Sequence, residues 1–172
     1  MDAGLAALLG AAIGSAASLG AASVSGRIQA RSQHDQWRRQ VRREAYTQYL
    51  AALHDRDVAM DDVLRALEAD SPDRMVVDER VQRFITLARV VHRAAEVVLL
   101  EGPPAVGETV GKVAEASSSL SSVMQRMVGD ARSGDTSRKS ADSALAAERS
   151  SHLWESVKQF RAVARDVLGN GN

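Results

Sequence analysis

The sequence contains no cysteine among its 172 residues. This absence excludes disulfide bonds, thiolate metal sites and a cysteine nucleophile. Aromatic residues are also scarce, at 3% of the chain, so a hydrophobic core has to be built from small and branched aliphatic side chains. Such side chains suit closely packed helices, and no segment shows the period-two alternation that is typical of a strand. Together these absences favour an all-α protein.

Charge is missing from the first part of the chain. Residues 3–25 form an uncharged stretch of 23 positions, and about 20 predominantly apolar residues are enough for a helix to cross a bilayer. Six arginines and one acid follow within residues 27–43. Basic residues beside an apolar helix mark the cytoplasmic side of a membrane. The pattern predicts a single-pass transmembrane helix in the plasma membrane, with the N-terminus outside and the C-terminal part cytoplasmic.

Three other interpretations of residues 3–25 stay open. A cleaved signal peptide usually begins with positive charge, whereas Asp2 alone precedes this run. An alanine-rich helix buried in a soluble bundle would be expected to present a polar stripe to water, and this stretch has none. The frequent glycines and serines would also fit a flexible tail. Run length and flanking charge favour the membrane helix.

Small residues recur at every fourth position of the uncharged stretch. Small side chains let two membrane helices approach closely and gain dispersion contacts that lipid does not supply. We therefore predict homo-oligomerisation through a helix-association ridge. The ridge consists of Ala6, Gly10, Gly14, Ser18, Ala22 and Gly26.

The arginines that follow form a basic segment, which we expect to contact anionic lipid headgroups. Each basic residue near such a surface contributes about 1 kcal/mol to membrane binding. Nucleic acid is not an expected partner, because no nucleic-acid-binding fold accompanies these residues. The residues of the basic segment are Arg27, Arg31, Arg38, Arg39, Arg42 and Arg43.

Beyond the basic segment, apolar residues recur at spacings of three and four, which predicts helices. The breaks at residues 70–73, 102–104 and 129–139 divide this region into four helical stretches. Short connections and a seven-residue repeat predict an antiparallel bundle of about four helices. Ser71 is expected to cap the second helix, with Pro72 at its first position. The predicted parts are a transmembrane helix 1–26, a basic juxtamembrane helix 27–44, a cytoplasmic bundle 45–168 and a frayed tail 169–172.

The predicted core positions follow the heptads. Arg56 interrupts the apolar face of the first helix, where we expect it to snorkel or to pair with an acid. The positions in chain order are Tyr46, Tyr49, Leu53, Arg56, Met60, Val63, Leu67; Val77, Val81, Phe84, Ala88, Val91, Ala95, Val98; Val106, Val110, Val113, Ser117, Leu120, Met124, Met127; and Leu153, Val157, Phe160, Ala164, Val167.

The sequence offers little support for a metal site or a catalytic site. Carboxylates and histidines on helices can build a di-iron site, but such a site uses Glu-x-x-His pairs, whereas this chain has Glu-x-x-x-His and His-x-x-Glu. A cluster of serines at residues 117–122 has no base placed beside it for nucleophilic catalysis. We therefore predict no catalytic, metal-binding or cofactor-binding residue. The residues considered for metal binding are His92, Glu96, Glu148, His152 and Glu155.

The run QWRRQVRREAY at residues 36–46, directly after a small-residue apolar helix, resembles a segment of uncharacterised single-pass membrane proteins of actinobacteria. The resemblance covers about the first third of the chain. It implies a membrane protein with a helical cytoplasmic portion, and it brings no activity and no catalytic residues.

These observations lead to a functional hypothesis. We expect a membrane-anchored, non-enzymatic scaffold or regulatory protein that forms homo-oligomers and offers its cytoplasmic helices to a protein partner. One alternative is an oligomeric pore-forming or membrane-damaging effector, in which serines of the membrane helix face a central axis. The other alternative is a bundle metal protein or enzyme.

Overall fold

The computed structural model describes residues 3–69 and 72–169, with side chains described from residue 33 onward. Four helices occupy almost all of this range: α1 (Ala3–Glu68), α2 (Arg74–Glu101), α3 (Pro104–Ser133) and α4 (Lys139–Gly169). The described residues contain no strand, so the prediction of an all-α fold is confirmed.

The predicted membrane helix, residues 1–26, is not supported by the described part of the structure. Among the residues described, none of the helices combines the length and the apolar character needed to cross a membrane. The side chains of the predicted segment 1–26 lie outside the described residues. The same holds for Arg27 and Arg31 of the basic segment and for residues 170–172 of the predicted tail.

The chain divides into two compact units, Met1–Val41 and Arg42–Asn172. In the first unit the described side chains include a stacked pair, His34 and Trp37, whose ring centroids lie 6.0 Å apart. The second unit contains the remainder of α1 together with α2, α3 and α4. Its first residue lies three positions before the predicted start of the bundle at residue 45.

Within the second unit, contacts at the helix ends show that neighbouring helices are antiparallel. Arg42 Nε donates to the carbonyl oxygen of Glu101 at 2.8 Å, which joins α1 to the end of α2. Lys139 Nζ donates to the carbonyl oxygens of Glu68 and Ala69 at 3.0 and 2.7 Å, which joins the start of α4 to the end of α1. These long cationic side chains satisfy carbonyl groups that a helix end leaves without intrahelical partners.

An ion pair joins the end of α3 to the start of α4. Arg126 donates through Nε and Nη2 to the two carboxylate oxygens of Asp142, at 2.9 and 2.6 Å. Hydrogen bonding to Arg126 holds the pKa of Asp142 below its ordinary value, and it raises the pKa of Arg126. The two-pronged geometry is the one in which arginine and carboxylate bind most specifically.

The core follows the predicted heptads closely in three of the four helices. Every predicted position of α1 from Tyr46 to Leu67 is buried. In α3 each predicted position is buried except Ser117, and in α4 each is buried except Val167, both of which are half-buried. The antiparallel bundle predicted from the seven-residue repeat therefore accounts for the packing of these helices.

The exception is α2, which is covered much less completely. Of its seven predicted core positions, Val77 and Val98 are buried, and both lie near the ends of the helix. The five positions between them, from Val81 to Ala95, are half-buried. The middle of α2 therefore packs loosely against the other three helices.

Local signals fix the helix ends. Asp73 caps α2, because its carboxylate accepts from the backbone N–H groups of Met75 and Val76 at 2.9 and 3.4 Å. The prediction of Ser71 as the cap and Pro72 as the first helical residue was wrong, since a carboxylate at residue 73 satisfies two free N–H groups at once. Gly134 ends α3 with a φ of 74°, a left-handed conformation that favours glycine.

Candidate functional site

Arg56 lies inside the bundle, where α1 faces α3 and α4. Its side chain is 3% exposed. The Nη1 atom donates to the hydroxyl oxygen of Ser117 on α3, and the buried Nε atom has no hydrogen-bond partner. No ion pair among the described residues includes Arg56. The expectation that it would snorkel or pair with an acid was therefore wrong.

Burial dominates the electrostatics around Arg56. Loss of hydration lowers its pKa, and the charge of neighbouring Asp57 and the proximity of Tyr49 oppose that shift. Burial also raises the pKa of Tyr49 to about 12, although Arg56 lowers it. Tyr49 is therefore neutral at physiological pH and does not supply a negative charge for the arginine.

Burial likewise raises the pKa of Asp57, with Asp61 adding to the rise and Arg56 and His54 opposing it. Asp57 is half-buried on the same helix as Arg56. It lies near enough to interact electrostatically with the guanidinium, yet the two groups do not form an ion pair.

A cavity of about 40 Å³ lies beside Arg56, between α1 and α4. Its wall combines aliphatic side chains with two arginines, one histidine, one acid and one tryptophan. The lining residues are Leu50, Leu53, His54, Arg56, Asp57, Leu153, Trp154, Val157 and Arg161.

The second arginine of the cavity is held by an aromatic ring. The guanidinium carbon of Arg161 lies 5.6 Å from the ring centroid of Trp154, a distance at which cation and ring attract each other. Trp154 is 46% exposed, so an indole ring and a cation both border the cavity near the surface of α4.

Positive charge is the main chemical feature of the cavity wall. Arg56 and Arg161 give the cavity wall an excess of positive charge over the single carboxylate of Asp57. No serine, threonine or cysteine stands among the described residues that line it, so it offers no hydroxyl or thiol nucleophile. The cavity is therefore equipped to hold a small group of negative charge.

The residues considered for metal binding do not come together. His92 Nε2 lies 3.9 Å from Glu96 Oε1, and both side chains are exposed on α2. Glu155 on α4 pairs with Lys158 at 3.1 Å. In the part of the chain that the structure describes, no three histidine or acidic side chains lie close enough to hold a metal ion together.

The described residues of the basic segment differ in their contacts. Arg42 is engaged at the end of α2, as its bond to Glu101 shows. Arg38 and Arg43 are exposed. Trp37, one residue before Arg38, is 60% exposed and stacks on His34. The helix-association ridge from Ala6 to Gly26 lies outside the residues whose side chains are described.

No protein-family model matches the chain, and neither a curated protein nor a solved structure matches it.

Sequence reasoning missed the pairing of Arg56 with Ser117. The heptads place both residues on inward faces, but they do not predict a hydrogen bond between them. An arginine on one apolar face and a serine at a predicted core position of another helix were the two available signals. The sequence does not show that these two residues are partners, because it does not give the alignment of α1 with α3.

Proposed function

We propose that the chain is a membrane-anchored, non-enzymatic helical interaction protein that assembles with further copies of itself. The uncharged run 3–25 and the arginines beyond it support an anchor with its N-terminus outside and the bundle in the cytoplasm. The exposed apolar residues of α2 support an interaction role for the bundle.

The observation that carries this proposal is the outward side of α2. Val90, Val97 and Leu100 follow one another at spacings of seven and three residues, so they lie on one side of the helix. Their exposed fractions are 37%, 43% and 82%. We call these three residues the outer seam of α2. The seven-residue spacing is the one by which helices pack along a seam.

A second copy of the chain is the occupant that we propose for the outer seam. Copies joined through the helix-association ridge would hold their bundles at a high effective concentration, of the order of millimolar for short connections. Under that condition a short apolar seam is sufficient for pairing, although it would be weak between free bundles.

The size of the assembly tests this proposal. In a mild detergent, the natural chain should form oligomers. The double substitution Gly10→Leu and Gly14→Leu should dissociate them, because leucine keeps the helix apolar but prevents close approach. Val97→Glu together with Leu100→Glu should weaken crosslinking between bundles. Light scattering coupled to gel filtration measures the first effect, and crosslinking yield measures the second.

Ala144→Glu together with Ala147→Glu is the matched control, because it adds the same two negative charges, also three residues apart, at exposed positions of α4. We expect it to leave both measurements unchanged. A monomeric natural chain would contradict the proposal, and so would an assembly that keeps its size in the double leucine variant. Leakage from lipid vesicles that the leucine substitutions abolish would favour the alternative of a pore.

A further inference from the structure

Arg56 carries a buried positive charge that the described residues do not balance. Removing a guanidinium from water is strongly unfavourable unless a partner charge and further hydrogen bonds compensate. Ser117 supplies one neutral acceptor, and Nε remains without one. An anion beside Arg56 would supply both the missing charge and the missing acceptor.

The geometry of the N–H donors of Arg56 favours a carboxylate over a spherical anion. In arginine, Nε and one terminal nitrogen present two parallel N–H groups, which match the two oxygens of a carboxylate. Nη1 is engaged by Ser117, and Nε is buried without a partner. A ligand therefore reaches the edge that contains Nε when the guanidinium turns this edge toward the cavity. A spherical anion such as chloride would use this pair of donors less well.

The volume and the lining of the cavity also fit a small carboxylate. About 10–15 Å³ of such volume holds one water molecule, so the 40 Å³ available beside Arg56 suits a group of about three heavy atoms, as in a carboxylate. Leu53, Leu153 and Val157 form an apolar wall, which fits a short hydrocarbon tail. Arg161 provides a second cation near the opening, while Asp57 opposes an anion.

We propose that the cavity between α1 and α4 is a binding site for a small monocarboxylate, held by Arg56 and assisted by Arg161. Arg56 binds the carboxylate through the edge that contains Nε. Arg161, placed over Trp154, attracts the anion to the opening. The site is independent of the membrane anchor and of the outer seam of α2, so it goes beyond the proposed function.

Trp154 offers a local reporter for the test. The chain has two tryptophans, and Trp37→Phe leaves Trp154 as the single source of tryptophan fluorescence. The full chain with this substitution, in a non-ionic detergent and a buffer without carboxylates, is titrated with sodium acetate and with sodium propionate. Sodium chloride at equal ionic strength is the reference. We expect a saturable fluorescence change with the two carboxylates and none with chloride.

Four substitutions at the cavity and one control on α2 test whether the response comes from this site. Arg56→Met and Arg56→Lys should each weaken acetate binding by roughly tenfold to a hundredfold, since both remove the planar pair of donors. Arg161→Gln should weaken it by about twofold to fivefold, and Asp57→Asn should strengthen it by a similar factor. Arg89→Gln, which removes an exposed cation from α2, should have no effect.

Circular dichroism and the thermal midpoint establish that each variant is folded. Loss of the response in both Arg56 variants, with retention in Arg89→Gln, supports the proposal. The proposal is overturned if acetate and propionate give no saturable response, if chloride gives an equal one, or if Arg56→Met binds acetate as tightly as the parent protein does. Weaker binding by Asp57→Asn would also overturn it.

Discussion

Phe160→Ala is expected to lower the free energy of unfolding by about 3–5 kcal/mol, the range found when a buried aromatic residue is truncated. Phe160 is fully buried on α4. Its ring meets the rings of Tyr46 and Tyr49 edge to face, with centroids 5.9 and 5.0 Å apart. These three rings therefore join α1 to α4 within the core. The substitution removes both ring contacts and leaves a cavity.

Urea denaturation followed by circular dichroism measures this loss. Phe160→Leu should cost distinctly less, because leucine refills part of the volume. Met75→Ala truncates an exposed residue of α2, and we expect a change within about 0.5 kcal/mol. A Phe160→Ala variant as stable as Met75→Ala would show that the aromatic contacts do not join α1 to α4.

Arg56→Met is expected to stabilise the bundle, in contrast to Phe160→Ala. In a buffer without carboxylates, it should raise the free energy of unfolding by about 1–4 kcal/mol, as hydrophobic replacements of buried charges commonly do. Methionine is flexible enough to fill the space of the arginine stem. The substitution also removes a buried Nε that lacks a partner.

Ser117→Ala is the complementary change. It keeps the buried arginine and removes its hydroxyl acceptor, so it should lower stability by about 1–3 kcal/mol. The double variant should resemble Arg56→Met, because the serine matters chiefly through the arginine. Urea denaturation of the natural chain, the two single variants and the double variant gives the four free energies of a double-mutant cycle. Destabilisation by Arg56→Met, beyond that of Ser117→Ala, would mean that the charge of Arg56 is balanced within the bundle.

The helical fold was accessible from sequence because each helix carries its own repeat. The heptads predict the inward faces of α1, α3 and α4 without knowledge of their neighbours, since an apolar stripe is a property of the helix itself. The same reasoning predicted α2 as fully as the others, yet its middle is half-buried. Periodicity reports which side of a helix is apolar, and it does not report how closely other helices cover that side.

The candidate site was less accessible because it depends on alignment between helices. The cavity beside Arg56 forms from residues of α1 near position 56 and residues of α4 near position 157, which are about one hundred positions apart in sequence. Nothing in either segment determines how far α1 and α4 are shifted along their axes relative to each other. Likewise, the cap of α2 was misplaced by two residues because serine, proline and aspartate lie together at residues 71–73, and each is a common residue at the start of a helix.

The most direct test of the account concerns the anchor, residues 3–25. Membranes from cells that express the full chain are washed with alkaline carbonate, which removes peripheral proteins but not inserted helices. Ile13→Arg places a charge near the middle of the run at a cost of about 3 kcal/mol, whereas Ile13→Leu keeps it apolar. We expect the natural chain and Ile13→Leu to stay in the membrane pellet and Ile13→Arg to be released. Release of the natural chain, or retention of Ile13→Arg to the same extent, would contradict this expectation.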